Sequence, residues 1–235
     1  MRVILLQNIP NRGFQGDLIE VPDAYAQTFL FPQALAIEAT EQVIRAHHQQ
    51  EQTPKRQGSA KEIAAAHALV LPGVGAFEAG MRGLAVRGLI SAVQNAALEN
   101  KPMLGICLGA QLLFSEGHEF GVHQGLGIIQ GKVVRFPASV KEKVPQVGWN
   151  RISPPKGVSW AGSMFEVSVA PPEVYFVHSY IMEPDSREHI FGLTSYGGVE
   201  FCSIVKKGAI VGVQFHPEKS GEIGLLIIKN FINTL

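Results

Sequence analysis

The chain has 235 residues, 46% of them hydrophobic, and its 20 lysines and arginines balance 20 aspartates and glutamates. That length and apolar content allow one large or two smaller domains with a real core and exclude a disordered tail, while the charge balance removes any global electrostatic case for nucleic-acid binding. No apolar run approaches the ~20 residues of a membrane span, and the start is too short in apolar residues for a secretory signal, so a cytoplasmic protein without membrane association is expected.

In chain order, MRVILLQN and DLIEV read as two strands of a hairpin joined through NRGFQG, whose Asn and Gly residues suit a turn. Asp23 is expected to cap a short helix over 24–30, Pro32 to end it, and 35–37 to add a third strand. Thr40 stands where an N-cap belongs, with Glu41 favourable in the first turn that follows. Between Val43 and Lys61 the polar stretch IRAHHQQEQTPKRQGSAK lacks a core-forming pattern and reads as a linker. The expected organisation is therefore a small module over 1–46, a linker or helix extension over 47–60, and a larger domain over 61–235.

The larger domain has an α/β texture. An apolar run at 68–71 ends in Pro-Gly-Val-Gly, a helix is expected over 80–99, and a second apolar run at 103–106 leads into Cys107. Farther on, KVVRF, EVYFVHSYI, FCSIVKK and AIVGVQF read as strands before a closing helix over 221–233.

Cys107 and Cys202 lie far apart with no ligand spacing around them, so neither a disulfide framework nor a metal site is signalled. Gly105-Ile106-Cys107-Leu108-Gly109 has instead the pattern of a nucleophile elbow with cysteine at its centre. Such a turn strains its central residue and places the thiol at a helix N-terminus, where thiolate is favoured. His216-Pro217-Glu218 supplies a base and a carboxylate two residues on that can orient it, provided the chain there is extended. The N–H of Leu108 and the main chain of Gly73-Val74-Gly75 are candidate donors to an oxyanion. A buried inert cysteine and a Gly-x-Cys-x-Gly hydrolase of another kind remain alternatives, since a triad specifies acyl transfer and not its substrate.

The words LVLPGVGAF, GICLGAQLLF, KVPQVGWNRI, YFVHSY and GVQFHPEKS, in that order, resemble class I glutamine amidotransferases, and among them the glutaminase subunit of imidazole glycerol phosphate synthase. The resemblance runs from about residue 60 to the C-terminus. It implies a flavodoxin-like α/β sheet and hydrolysis of glutamine to glutamate and ammonia through a Cys107 thioester, with His216 and Glu218 completing the catalytic triad. It further implies that ammonia passes to a cyclase (synthase) subunit, a heterodimer partner, in histidine biosynthesis, and that no metal or organic cofactor takes part. Carried over by motif position, Gln111 and Glu119 would hold the glutamine head group, Glu119 countering its ammonium, with the main chain of Ser179 and Tyr180 also in contact. Trp149 and Lys219 would face the synthase partner.

Separately, VILLQN, GDLIEV and DAYAQTFLFPQALAIEAT resemble the rRNA-binding N-terminal domain of bacterial large-subunit ribosomal protein L-nine, a small three-stranded α+β domain. That implies possible rRNA contact through 1–46. Residues 1–56 carry five lysines and arginines against six acids, a net of about −1, which weakens that expectation because phosphate binding leans on cations. The amidotransferase family also begins with a strand, a helix and a strand that have no counterpart here, so an N-terminally truncated sheet is expected, with an open edge beside LVLPG and impaired activity. The alternative readings are an rRNA-binding protein with a non-catalytic passenger domain, or a fusion of two gene fragments.

Overall fold

A computed structural model of the chain describes residues 1–6, 9, 18–33, 35–41, 43, 59–167 and 171–234, and it divides between Gly58 and Ser59 into two units. In the first, β1 (Arg2–Leu5) lies between β2 (Leu18–Glu20) and β3 (Ala36–Glu38), antiparallel to both. Val3 and Leu5 enter a small core with Val21, Ala26, Leu30 and Ala36. Asp23 does not cap its helix: Pro22 holds that position, and Asp23 is the first residue of α1 (Asp23–Tyr25), which runs on as a π-helical turn over Ala26–Leu30. Its carboxylate meets the Met1 ammonium at 2.6 Å, a full charge that outcompetes a backbone N–H for the same oxygen. Thr40 Oγ1 accepts from the Val43 N–H at 3.3 Å, the geometry of an N-cap. The expected turn at 11–16, the continuation of that helix beyond 43, and the linker up to residue 58 lie outside the described residues.

The second unit starts with a short helix that begins at the end of the stretch expected as linker or helix extension. Ser59 and Glu62 form a reciprocal capping box that starts α2 (Ala60–Ala65). β4 (Leu69–Gly73) leads to α3 (Phe77–Val86) and α4 (Ile90–Leu98), and β5 (Met103–Cys107) leads to α5 (Leu108–Leu112). The single helix expected over 80–99 is thus two helices, parted at Gly88, whose φ of +64° ends the first. β6 (Phe114–Gly117), β7 (His123–Gln124), β8 (Ile129–Arg135), β9 (Gln146–Arg151), β10 (Glu173–His178), β11 (Tyr180–Pro184), β12 (Ile190–Tyr196), β13 (Val199–Lys207) and β14 (Ile210–Val213) follow, and α6 (Gly221–Asn233) closes the chain.

The main sheet is mixed, in the order β4-β5-β14-β13-β11-β8-β6-β7 with β12 paired to β13. Its parallel part, β4-β5-β14, carries the strand-to-helix turns, and β14 turns back into the antiparallel part through β13. Side chains alternate between two cores: Met103 packs with Phe77, Leu108 and Leu112 in one, while Leu104 and Ile106 pack with Phe215, Ile227 and Phe231 in the other. β9 and β10 form a separate two-stranded ribbon. Among the described residues β4 pairs with β5 alone, and Val70 is 55% exposed. Also among them, no helix is long and apolar enough to cross a membrane.

Candidate active site

Cys107 is the last residue of β5 and the entry to α5, with φ 52° and ψ −110°, a conformation that costs an L-residue energy and is held by its surroundings. Both elbow glycines are sterically required. A Cβ on Gly105 would lie 2.8 Å from the Ala110 Cα, and one on Gly109 would collide with the Leu71 carbonyl. The β4–β5 register places Gly73 opposite Cys107, and Gly75, two residues on, takes φ +103°.

The imidazole arrives from the other side. β14 runs parallel to β5 with Val213 opposite Ile106, and His216 lies three residues past its end, 2% exposed. Glu218 Oε1 accepts from His216 Nδ1 at 2.7 Å. That leaves Nε2 as the acceptor nitrogen of the neutral ring, and it is buried without a hydrogen-bond partner. The contact to Glu218 is not made along an extended strand as expected. His216 is extended, but Pro217–Lys219 form a 3-10 turn that folds the carboxylate back onto the ring. Proline's fixed φ suits the first position of such a turn.

Burial pushes the Cys107 thiol up to about 11, against the lowering influence of the Leu108 N–H, the Gln214 side chain and the Lys219 ammonium, and with the Glu218 carboxylate adding to the rise. The expectation of a thiolate favoured by the helix N-terminus is corrected on this point: α5 has only five residues, and desolvation outweighs so short a dipole. In the free protein the group is a thiol.

Gln111, on α5, is 7% exposed and donates from Nε2 to the Gln214 side chain at 3.0 Å and, more weakly, to the Tyr180 carbonyl at 3.4 Å. Glu119 follows β6, and its Oε2 accepts from the Phe77 N–H at 2.8 Å, at the start of α3. Burial raises its carboxyl pKa, and its charge is felt at the Tyr180 hydroxyl. The Ser179 carbonyl accepts from the Phe136 N–H at 3.0 Å. Gln111, Tyr180 and Glu119 therefore gather on one flank of the elbow.

The family model for class I glutamine amidotransferases matches residues 20–234. The chain belongs to that family. It is 42% identical to the imidazole glycerol phosphate synthase subunit HisH 1 of Legionella pneumophila (strain Lens) over 73% of this chain and 83% of that protein. It is 45% identical to the corresponding HisH subunit of Moorella thermoacetica, over 72% and 78%. A crystal structure of a glutamine amidotransferase superposes with a TM-score of 0.56 at 16% identity, covering 80% of this chain and 92% of that one, so the class I amidotransferase fold is shared.

In this amidotransferase Trp149 lies on β9, 57% exposed and edge-on to Tyr175 at 6.1 Å between ring centroids. Lys219 is exposed on the turn after His216, and Gly221, two residues on, faces the Trp149 ring, so the two expected partner-facing residues lie close together. Among the described residues no group of His, Cys, Asp and Glu could hold a metal ion.

Two residues without an assigned role in the sequence reading stand close to the thiol. Gln214 donates to Cys107 Sγ at 3.8 Å, and its only sequence signal is a polar residue inside the apolar run AIVGVQF. His178, in YFVHSY, is buried on β10, next to Val177, whose carbonyl lies 4.0 Å from the same sulfur. Burial lowers the His178 pKa to about 4, so it is neutral, with Nδ1 donating to the Tyr180 carbonyl at 2.8 Å and Nε2 facing the Gln146 amide at 3.0 Å. It ties β9, β10 and β11 together.

Proposed function

We propose that the protein hydrolyses glutamine to glutamate and ammonia, with Cys107 as nucleophile, His216 as general base and acid, and Glu218 orienting it. The supporting observation is the strained thiol ending β5, with a buried imidazole three residues past the end of the neighbouring parallel strand β14, its Nδ1 held by Glu218 and its Nε2 unpartnered. The Cys107 proton passes to His216 Nε2 as sulfur attacks the carboxamide carbon. Leu108 and the Gly73–Gly75 segment offer N–H groups to the resulting oxyanion. His216 returns the proton to the departing nitrogen, ammonia leaves, and the thioester forms. Water then attacks, giving its proton to His216 and, through it, to the released sulfur. Gln111, Glu119 and the main chain of Ser179 and Tyr180 hold the substrate head group, Glu119 opposite its ammonium.

The ammonia serves a cyclase subunit in the making of imidazole glycerol phosphate, in the cytoplasm, in a heterodimer that uses Trp149 and Lys219. The HisH relatives support this reading. Gly73 and Gly75 stand at the end of β4, which has one strand partner among the described residues, so the isolated chain turns glutamine over slowly and the partner, by covering that edge, raises the rate. The test is glutamate release with and without the cognate cyclase, together with labelling by an electrophilic glutamine analogue. Labelling of Cys107 that is lost in Cys107→Ser supports the reading. Turnover that survives in Cys107→Ser overturns it.

A further inference from the structure

Three buried amide and thiol groups form a chain beneath the elbow. Gln214 follows β14 directly, is fully buried, and is pinned by its own N–H donating to the Ser203 carbonyl at 2.9 Å. Its side-chain oxygen accepts from Gln111 Nε2 at 3.0 Å. That bond decides which way the amide points: with the oxygen turned to Gln111, the NH2 must face Cys107 Sγ, 3.8 Å away. Valine at 213 and phenylalanine at 215 are each wholly buried, so an apolar residue would satisfy packing here, whereas an amide demands partners for both ends.

The groups that act on the sulfur divide into two kinds. The Leu108 N–H and the Lys219 ammonium favour a charged sulfur, as Gln214 does, and the Glu218 carboxylate opposes it. During attack the Leu108 N–H is required by the oxyanion and cannot also serve the sulfur. A donor reserved for the sulfur has to come from elsewhere, and the Gln214 amide is aimed there.

We propose that Gln214 is a further catalytic residue, whose side-chain N–H holds the Cys107 thiolate as it forms, and that Gln111 keeps this amide turned toward the sulfur. The substrate side of this inference rests on the glutaminase reading, since Gln111 is also the residue assigned to the glutamine head group. A single amide chain then links the head-group pocket to the nucleophile.

The experiment is site-resolved alkylation of Cys107 by iodoacetamide between pH 6 and 11 on the full chain, for wild type, Gln214→Leu, Gln214→Met and Gln214→Glu, with melting curves to confirm folding. Leu and Met remove the donor at similar volume. The expected result is alkylation about tenfold slower at pH 8, with the rising limb of the rate profile displaced by about one pH unit toward alkaline pH, and a larger slowing in Gln214→Glu, whose carboxylate opposes the thiolate. The Met variant decides the matter if the Leu variant does not fold. A folded Leu or Met variant with the wild-type alkylation profile overturns the proposal. Alkylation needs no substrate, so the two readings fail separately. A wild type that never hydrolyses glutamine but shows the Gln214 shift sinks the glutaminase reading alone, and glutamine turnover with an unchanged profile sinks the Gln214 proposal alone.

Discussion

β4 and β5 are parallel neighbours of five residues each, paired from Leu69 opposite Met103 to Gly73 opposite Cys107, yet every residue of β5 is buried and none of β4 is. β5 has a strand on each side and a core on each face, whereas β4 has one partner among the described residues. The nucleophile is thus carried by a wholly buried strand of the sheet, and the facing glycine ends a partly exposed one. Strain at Cys107 can persist because close packing on all sides over-determines it, while Gly73 and Gly75 depend on whatever covers the edge.

Replacing the nucleophile should have the largest effect. Cys107→Ser should lower glutamine turnover by about 10³-fold or more, measured with the cyclase present, because a hydroxyl in this turn has no comparable acidity. Next, Leu104→Ala on β5, where the side chain is 1% exposed, should cost about 2–5 kcal/mol of unfolding free energy in urea titration. Equal melting of this variant and wild type would contradict the view of β5 as the rigid member.

The pH dependence of Cys107 reactivity sharpens the same point. Burial holds the proton on sulfur up to about 11, so the reactive thiolate fraction should climb about tenfold per pH unit across the neutral and mildly alkaline range. A plateau near pH 8.5, as for an exposed thiol, would show a solvated elbow. The smallest effect belongs to the edge: Val70→Thr on β4 should change stability by less than about 0.5 kcal/mol. Amide hydrogens of β4 should exchange faster than those of β5, and addition of the cyclase should narrow that gap.

Much of the site was legible before any coordinates. The elbow glycines, Cys107 and the His-Pro-Glu word are local patterns, because a strand-to-helix turn and a proline-led turn are set by a few adjacent residues. The start of α2 was legible too, in the pairing of Ser59 with Glu62, but it straddles the end of a stretch judged by its polarity. The break at Gly88 was a similar miss, since apolar residues continue on both sides of it.

The sequence by itself determined the α/β alternation, the turn that presents the thiol and the chemistry available at His216 and Glu218, because those depend on backbone sterics and on residue type at short range. The tertiary structure alone decided three things. It set the protonation of Cys107, since desolvation sums over side chains from distant strands. It brought Gln214 to the sulfur, since that contact needs β14 laid beside β5. It also gave β4 its exposure, since whether a strand has one neighbour or two depends on which other strands reach it.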